Sequence, residues 1–372
     1  MNQENAVLER YSAGASERQE SLCCPVDYHS DLLKLLPDEI IEKDYGCGDP
    51  SRYVREGDVV LDLGSGSGKI CYMAAQLVGE SGRVIGVDMN DDMLSLARKY
   101  QPEMAEKIGN DRVQFLKGKI QDLSLDITAM EKWLNENPID NVNGLTALEL
   151  WKVKQCQQSP LIADNSVDLV ISNCVLNLVN DYEKHQLVKD IFRVVKPGGR
   201  IAVSDIISDE VIPEHLKADE QLWSGCISGA FQEQEMLKMF QDAGFIAVSY
   251  DKWADAPWQV VDGIEFRAVT LTAIKREQTD CIDKGHAAIY RGPFSFVMDD
   301  EGHEFPRGER MAVCERTFNV LSNEPYKEDF ICIVPAIEKE PRVWCAPAGT
   351  KRPVSDTKGG SYTISTEHSP CC

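Results

Sequence analysis

Four of the thirteen cysteines in this chain stand where a thiol could do chemistry. Cys47 lies between two glycines in DYGCGDP, Cys71 opens a predicted helix after a glycine-rich turn, Cys174 lies in SNCVLNLV, and Cys226 lies in LWSGCISGAF. The flanking glycines favour a turn and would leave the sulfur of Cys47 uncovered. Any one of these residues alone could be an idle structural thiol, but several thiolates together are good ligands for soft metals and metalloids. Cysteines at several of these positions therefore indicate a soft-ligand site if the fold brings them together.

The remaining cysteines suggest a reducing compartment. Their total number is odd, the chain is too long to need disulfide stapling, and the absence of a C-x-x-C pair argues against a zinc ribbon. Adjacent cysteines occur only at Cys23-Cys24 and Cys371-Cys372. Cys71 follows a glycine-rich turn and could pack beneath a ligand. We expect the cysteines that have no motif around them to be structural: Cys156, Cys281, Cys314, Cys332 and Cys345.

The charge balance excludes several classes of partner. The chain has 372 residues with 61 acidic and 39 basic side chains, which gives a formal net charge of -22. An acidic surface repels phosphate backbones and anionic lipids, so we expect neither nucleic-acid nor membrane binding. No apolar run approaches the roughly 20 residues of a membrane-spanning helix, and the N-terminus lacks a signal-peptide core. We expect a cytoplasmic monomer.

Short apolar runs alternate with helical patterns along the first two thirds of the chain. This alternation predicts an α/β fold with a doubly wound, mostly parallel sheet, and two later runs could close it. The five predicted parallel strands are DVVLDL (58–63), RVIGVDM (83–89), RVQFLKG (112–118), VDLVISN (167–173) and RIAVSDI (200–206), and the closing pair is FIAVSY (245–250) and RAVTLTAIK (267–275). A turn at KPGG precedes the fifth strand.

The predicted strands divide the chain into four parts. Residues 1–57 form a polar, broken N-terminal segment that carries candidate redox or ligand cysteines and one amphipathic stretch. Residues 58–210 form the cofactor-binding domain, with a polar insertion at 121–164, and residues 211–276 complete the sheet and carry Cys226. After residue 277 we expect a small β-rich domain and a tail that ends in cysteines. The stretch 287–313 within this domain shows hairpin-like alternation and no evident helix.

A glycine-rich turn follows the first strand and points to a nucleoside cofactor. The turn has the pattern D-x-G-x-G-x-G with Asp62, Gly64, Ser65, Gly66 and Gly68, and Lys69 stands where a dinucleotide fingerprint needs its last glycine. Asp88 ends the second strand, where a carboxylate can accept both hydroxyls of a ribose, while Asp62 could meet a cationic amino group. With the later KPGG turn, this combination resembles the class I S-adenosylmethionine-dependent methyltransferases.

The resemblance implies further cofactor contacts. In such folds the residues after the third strand flank the adenine, which indicates Ile120 and Gln121. Met89 would lie against the adenosine, and Asn173 would face the methyl-transfer position. Core packing is the competing interpretation for Ile120 and Met89.

The cysteine stretches narrow the resemblance. YGCG, LDLGSGSGKICYMAAQLVG, VIGVDM, SNCVLNLV and LWSGCISGA together resemble the arsenite S-adenosylmethionine methyltransferases, as do AAIYRG, YKEDFICIVP and the final PCC. This resemblance implies that Cys47, Cys174 and Cys226 bind As(III) and that Tyr45 contacts the cofactor. It also implies that Cys24 or its neighbour Cys23 forms a disulfide with Cys47 during turnover. The chain departs from the family pattern at Gly225, where a glutamate is usual, and in the length of its insertion.

The implied reaction starts from arsenite or its glutathione adduct, both compatible with an acidic surface. Arsenic bound by three thiolates keeps a lone pair that can attack the sulfonium methyl group, so no protein base is needed. A thiol reductant, glutathione or thioredoxin, would reopen the disulfide. Two alternatives remain at this stage: a methyltransferase acting on a small organic acceptor such as a quinone or sterol, and a thiol protein that sequesters As(III) without catalysis.

Overall fold

The structure of this chain is a computed structural model that describes residues 3–17, 19, 26–43 and 45–358. The chain divides into two compact units, residues 1–276 and 277–372. The predicted Cys23, Cys24 and the Cys371-Cys372 pair lie outside the described residues.

The first unit is built on one large sheet with helices on both faces. Its strands are β1 (Val59–Leu63), β2 (Arg83–Asp88), β3 (Val113–Lys117), β4 (Val167–Asn173), β5 (Val195–Ser208), β6 (Phe231–Gln232), β7 (Phe245–Trp253), β8 (Gln259–Val261) and β9 (Ile264–Lys275). Its helices are α1 (Gln3–Ser16), α2 (Ser30–Leu33), α3 (Asp38–Glu42), α4 (Lys69–Leu77), α5 (Asp91–Lys99), α6 (Gln101–Ile108), α7 (Ile127–Glu136), α8 (Val142–Gln158), α9 (Asp181–Val194), α10 (Glu214–Lys217), α11 (Glu220–Ser224) and α12 (Glu233–Asp242).

The strand order of this sheet is β3-β2-β1-β4-β5-β9-β7. β1 to β5 pair in parallel, whereas β9 runs antiparallel to both β5 and β7. The order reverses between β1 and β4, and ligands of open α/β sheets bind at such a switch point, beyond the carboxyl ends of the strands. The predicted doubly wound, mostly parallel fold is therefore confirmed, and so is its closing antiparallel pair.

Two apolar clusters on the sheet hold these layers together. One contains side chains of α9 and α12, among them Leu187, Ile191 and Phe240, and the other contains side chains of α4, among them Ile70 and Met73. Burial of this apolar surface is the main stabilising contribution to such a fold. It fixes the strand ends on which the candidate site lies.

The structure adds detail to three local predictions. α1 occupies part of the segment expected to be broken, and the amphipathic stretch that follows forms the two short helices α2 and α3. The expected polar insertion contains α7 and α8, whose first turns are capped by the side chains of Asp126 and Asn141. The rings of Trp133 and Trp151 stack with their centroids 5.8 Å apart, so the two helices pack on each other.

The expected KPGG turn is a bulge within β5. The strand begins at Val195, and its pairing steps from Val195 to Arg200 while β4 advances only from Val167 to Leu169. Gly198 has a φ of +79° there, a conformation that favours glycine.

The second unit is β-rich, as expected, but it also contains a helix. Its elements are β10 (Ile282–Asp283), β11 (Ala287–Tyr290), β12 (Phe296–Met298), β13 (Glu304–Pro306), β14 (Arg310–Ala312), α13 (Glu315–Leu321), β15 (Phe330–Ile333) and β16 (Arg342–Val343). β12 and β13 form the predicted hairpin. The stretch 287–313 contains strands and no helix, as expected; α13 follows it, and the side chain of Cys314 caps its first turn. The longest helix in the described part of the chain is α8, and none of the helices there combines the length and apolarity of a membrane span.

The loop around Cys47 packs directly on the end of β4. The amide oxygen of Asn173 accepts hydrogen bonds from the backbone N–H groups of Cys47 (2.9 Å) and Gly48 (3.1 Å), and its Nδ2 donates to the carbonyl of Gly48 (2.9 Å). A Cβ atom at Gly46 would lie 2.2 Å from Asn173 Nδ2, and one at Gly48 would lie 2.4 Å from the hydroxyl of Ser204. The glycines therefore permit close approach. The expectation that they leave the thiol uncovered is wrong, since Cys47 is only 7% exposed.

This packing predicts a specific cost for a single methyl group. Gly46→Ala must displace the Asn173 side chain and unpair the N–H groups it holds, which should lower the free energy of unfolding by about 1–3 kcal/mol. Chemical denaturation measures the change. Gly144→Ala in α8 is the matched control, because its Cβ would meet no atom closer than 3.4 Å and should be neutral or slightly stabilising. Equal effects of the two substitutions would contradict the assigned packing.

Candidate active site

An open cavity lies at the carboxyl ends of β1, β2 and β4. It encloses about 1030 Å³ of empty space, part of which is open to solvent. Ten of the eleven predicted cofactor residues line it: Tyr45, Asp62, Gly64, Ser65, Gly66, Asp88, Met89, Ile120, Gln121 and Asn173. The eleventh, Gly68, does not line the cavity but begins α4 with a φ of +87°, a conformation that favours glycine.

The glycine-rich turn is held against the end of β2. One oxygen of Asp88 accepts a hydrogen bond from the N–H of Gly66 and the other from the N–H of Asn90, both at 2.8 Å. Burial raises the pKa of Asp88 above its ordinary value. The hydroxyl of Ser65 is buried on the cavity wall and has no hydrogen-bond partner within the described part of the chain. An unsatisfied buried hydroxyl on a cavity wall is a natural contact for a polar ligand.

Cys71 lies behind this wall. It is fully buried in α4, and its thiol donates to one carboxylate oxygen of Asp62 over 3.2 Å. This contact orients Asp62, whose other side faces the cavity. Cys71 thus supports a cavity residue and does not itself line the cavity.

α1 closes one side of the cavity, and the sequence analysis missed it. Glu4, Val7, Leu8 and Tyr11 line the cavity from this helix, and their i, i+3, i+4, i+7 spacing is the signal that could have revealed it. α1 is tied to the rest of the unit by polar contacts at several points. Glu4 pairs with Lys119 (3.1 Å), Asn90 donates to the Leu8 carbonyl (3.3 Å) and to Ser12 (3.1 Å), and Arg10 donates to the Gln221 carbonyl and the Ser224 hydroxyl (both 2.9 Å).

The three predicted arsenic ligands meet beside this cavity. Cys47 and Cys174 are joined by a disulfide bond, and the thiol of Cys226 donates to the backbone carbonyl of Cys174 over 3.3 Å. All three residues are buried, with 7%, 6% and 5% exposure. The predicted partners of Cys47 in a disulfide, Cys23 and Cys24, lie outside the described residues, and in this structure its partner is Cys174.

Two of these cysteines adopt an uncommon backbone conformation. Cys174 has a φ of +60° and Cys226 a φ of +63°, in the left-handed region that side chains other than glycine seldom occupy. Hydrogen bonds hold both in place, from Cys174 N–H to the Ser204 carbonyl (2.8 Å) and from Cys226 N–H to the Trp223 carbonyl (3.0 Å). Such strain persists where the surroundings enforce it and is concentrated at functional sites. Its presence at both positions singles them out among the cysteines.

The acidic side chain of Asp205 lies next to the disulfide. Its carboxylate and the sulfurs of Cys47 and Cys174 lie within 4.8 Å of one another. It accepts hydrogen bonds from the N–H groups of Leu176 (3.0 Å) and Ile206 (2.8 Å). Burial nevertheless raises the pKa of Asp205 to about 7, so that the carboxyl group carries little charge below neutral pH.

A smaller cavity of about 250 Å³ opens beside the thiols. Its walls are Tyr11, Tyr45, Cys174, Ile206, Gly225, Cys226 and Trp258. Tyr11 and Tyr45 also line the large cavity, so their rings separate the two spaces. The hydroxyl of Tyr11 lies 3.9 Å from the sulfur of Cys226, and burial together with this neighbour raises the pKa of Tyr11.

Gly225 marks the departure from the family pattern. A Cβ atom at this position would lie 3.4 Å from a guanidinium nitrogen of Arg10. A glutamate here would therefore start beside a positive charge that in this chain is hydrogen-bonded to Gln221 and Ser224.

Comparison with known proteins identifies the family of this chain. Residues 55–144 and 146–244 match the family model described as a methyltransferase domain, and residues 277–362 match a domain of unknown function. The chain is 30% identical over 335 residues to the arsenite methyltransferase of Aquipseudomonas alcaligenes, covering 85% of this chain and 86% of the relative. It is 31% identical over 333 residues to that of Homo sapiens, covering 85% and 78%.

A solved structure extends the likeness to the fold. CrArsM, an arsenic(III) S-adenosylmethionine methyltransferase from Chlamydomonas reinhardtii, is similar with a TM-score of 0.54 and 27% identity, over 85% of this chain and 99% of that one. The sheet order, the residues around the large cavity and these comparisons lead to one conclusion. The chain is an S-adenosylmethionine-dependent methyltransferase and belongs to the arsenite methyltransferase family.

Proposed function

We propose that this protein methylates trivalent arsenic, with As(III) bound by Cys47, Cys174 and Cys226. The observation that carries the proposal is the meeting of these three cysteines beside the large cavity, with Cys174 directly after Asn173 on its wall. The named activity of the relatives supports the substrate. Three thiols at one place suit a nucleophile that brings its own lone pair.

The groups around the large cavity fit the cofactor. Asp88 at the end of β2 would accept the ribose hydroxyls, and Asp62, held by Cys71, would face the amino group of the methionine moiety. Ser65 offers an unsatisfied hydroxyl, and Met89 and Ile120 offer apolar surface for the adenine. When bound, S-adenosylmethionine supplies an electrophilic methyl group on a sulfonium centre.

Arsenic binding requires reduced thiols. A dithiol or two monothiols of the glutathione or thioredoxin type first reduce the Cys47–Cys174 bond, becoming oxidised themselves. Arsenous acid then exchanges its three hydroxyl groups for three thiols and releases three water molecules, without a change in oxidation state. The exchanged protons leave as part of that water, so the site needs no base.

Methyl transfer would then take place where the two cavities meet. The cofactor would supply its methyl group to the arsenic lone pair and leave as S-adenosylhomocysteine, and the arsenic on its three thiolates would become pentavalent and positively charged. Positioning and exclusion of water are the protein's contributions. The rings of Tyr11 and Tyr45, which border both cavities, are the side chains best located to align the two reactants.

The methylated arsenic returns to the trivalent state at the expense of two thiolates. Two sulfurs leave arsenic as a disulfide while water supplies a hydroxyl group and releases a proton, so arsenic gains the two electrons that sulfur loses. Cys47 and Cys174 are one pair at bonding distance. The pair implied by family resemblance, Cys47 and Cys24, would require Cys24 to displace Cys174 by thiol–disulfide exchange.

Removal of a single thiol tests the ligand set. In Cys174→Ser and in Cys226→Ser, methylation of arsenite should fall at least ~100-fold, because the arsenic centre loses a ligand and its alignment. Binding of S-adenosylhomocysteine, followed by calorimetry, should stay unchanged. Cys156→Ser in α8 is the matched control and should keep full activity. Full activity in both ligand variants would favour an organic acceptor, whereas arsenite binding without methylation in the unsubstituted protein would favour sequestration.

The order of reduction and binding gives a second prediction. Protein isolated without reductant should bind no As(III) at this site, since two of its three ligands are tied in the Cys47–Cys174 bond. Treatment with a phosphine reductant, followed by its removal, should restore binding and permit a single turnover. Mass spectrometry of arsenic and of the disulfide-linked peptides measures both. Turnover by the oxidised protein at the reduced rate would contradict the scheme.

Burial of Asp205 next to the thiols predicts a pH-dependent stability. Its pKa is raised in the folded protein, so folding favours its protonated form and the stability gained at low pH is lost as the pH rises from about 4 to about 7. Relative to Asp205→Asn, the free energy of unfolding of the unsubstituted protein should decline by at most ~1.4 kcal/mol per pH unit in that window. Denaturation at several pH values measures it, and the exposed Asp255→Asn serves as control. If the free energy of unfolding varied with pH in the same way in the unsubstituted protein and in Asp205→Asn, the prediction would be contradicted.

A further inference from the structure

The second unit contains a pair of cysteines that the proposed methylation does not use. Cys281 directly precedes β10, and Cys345 follows two residues after the end of β16. The two strands pair antiparallel through Ile282 and Val343, and the N–H of Trp344 donates to the carbonyl of Cys281 over 2.8 Å. Strand pairing thus brings together two cysteines that are 64 positions apart (345 minus 281).

The side chains of this pair are neighbours and reachable. The thiols of Cys281 and Cys345 lie close enough for one to affect the other electrostatically, and neither residue is in a disulfide. Cys345 is exposed and Cys281 is half-buried. A guanidinium nitrogen of Arg316 donates to the sulfur of Cys281 over 3.4 Å, and the same group pairs with Glu301 at 3.1 Å.

The sulfur of a third cysteine nearby, Cys314, already makes hydrogen bonds at the start of α13. Cys314 lies near Cys281, but it is buried and its sulfur caps α13 by accepting from the N–H of Thr317 over 3.5 Å. A hydroxyl contact with Thr317 at 3.3 Å completes this cap. Binding through Cys314 would cost these contacts, so the available site is a two-thiol one.

The charges around Cys281 and Cys345 favour a neutral arsenical complex over a divalent metal cation. A divalent cation would have to lie beside the guanidinium of Arg316, which repels it, and zinc prefers four ligands. A trivalent arsenical with one organic substituent forms two bonds to sulfur, and its complex with two thiolates is neutral. The Arg316–Glu301 pair next to the sulfurs is also neutral overall, so such a complex adds no net charge.

We propose that Cys281 and Cys345 form a second site, in the second unit, that binds monosubstituted trivalent arsenicals. Each thiol replaces one hydroxyl group on arsenic, so two As–S bonds form, two As–O bonds break and two water molecules leave. No electrons are transferred. The site does not depend on methyl transfer, and it matches the class of compound that the first methylation of arsenite would release.

The test uses the reduced full-length protein and phenylarsine oxide as the probe. The Cys174→Ser, Cys226→Ser double variant is the background, so that the first site does not compete and failure of the proposed methylation leaves the readout unchanged. After addition of the probe, remaining thiols are alkylated with a maleimide, and peptide mass spectrometry reports each cysteine separately. Cys281 and Cys345 should be protected together, with alkylation rates at least ~10-fold lower than without probe.

Two further variants make the assignment specific. Cys281→Ser should abolish protection of Cys345, because one thiol cannot close the two-bond complex, whereas Cys332→Ser in β15 should leave it intact. Protection of Cys345 that survives Cys281→Ser would overturn the proposal. Alkylation of both cysteines at the unprotected rate would also overturn the proposal. Protection by zinc chloride but not by phenylarsine oxide would overturn it as well, because it would show that the pair binds a metal ion and not an arsenical.

Discussion

One side-chain amide holds the two halves of the candidate site together. Asn173, the last residue of β4, receives the N–H groups of Cys47 and Gly48 and returns a hydrogen bond to Gly48. These contacts attach the loop around Cys47, which precedes the sheet, to the end of β4, where Cys174 follows. Asn173 also lines the cofactor cavity. The position of a candidate arsenic ligand and the wall of the cofactor site thus depend on the same side chain.

This packing buries the three thiols, so arsenic has little access to them. The cysteines are almost inaccessible while Cys47 and Cys174 are joined in a disulfide, yet an arsenic atom bound as proposed would need a vacant space between the three sulfurs. The small cavity bordered by Trp258 and Gly225 supplies room on the side of Cys226. Reduction of the Cys47–Cys174 bond would release the loop constraint on the other side. The left-handed backbone at Cys174 and Cys226 stores strain that keeps both thiols directed into one place.

The sequence predicted the sheet and the glycine-rich turn because both rest on local patterns. Alternating apolar runs identify β1 to β5, and the spacing of Gly64 and Gly66 after a strand identifies the turn. α1 was missed because the helical spacing of its cavity-facing residues includes the charged Glu4 and lies among other polar residues, which weakens the pattern. The packing role of Gly46 and Gly48 was unpredictable, since it depends on Asn173 and Ser204, which are more than 120 positions away. Disulfide partners likewise depend on distances in the fold.

Burial controls the electrostatics around the thiols. The carboxyl group of Asp205 lies close to the sulfurs of Cys47 and Cys174, and the hydroxyl of Tyr11 lies 3.9 Å from the sulfur of Cys226. Burial raises the pKa of both groups, so Tyr11 is neutral at neutral pH, whereas Asp205, with a pKa of about 7, is ionised in about half of the molecules there. The negative charge beside Cys47 and Cys174 therefore grows as the pH rises through neutrality, and it opposes the ionisation of their thiols. An arsenic lone pair is a nucleophile without deprotonation, so the proposed methyl transfer does not require Asp205 to act as a base.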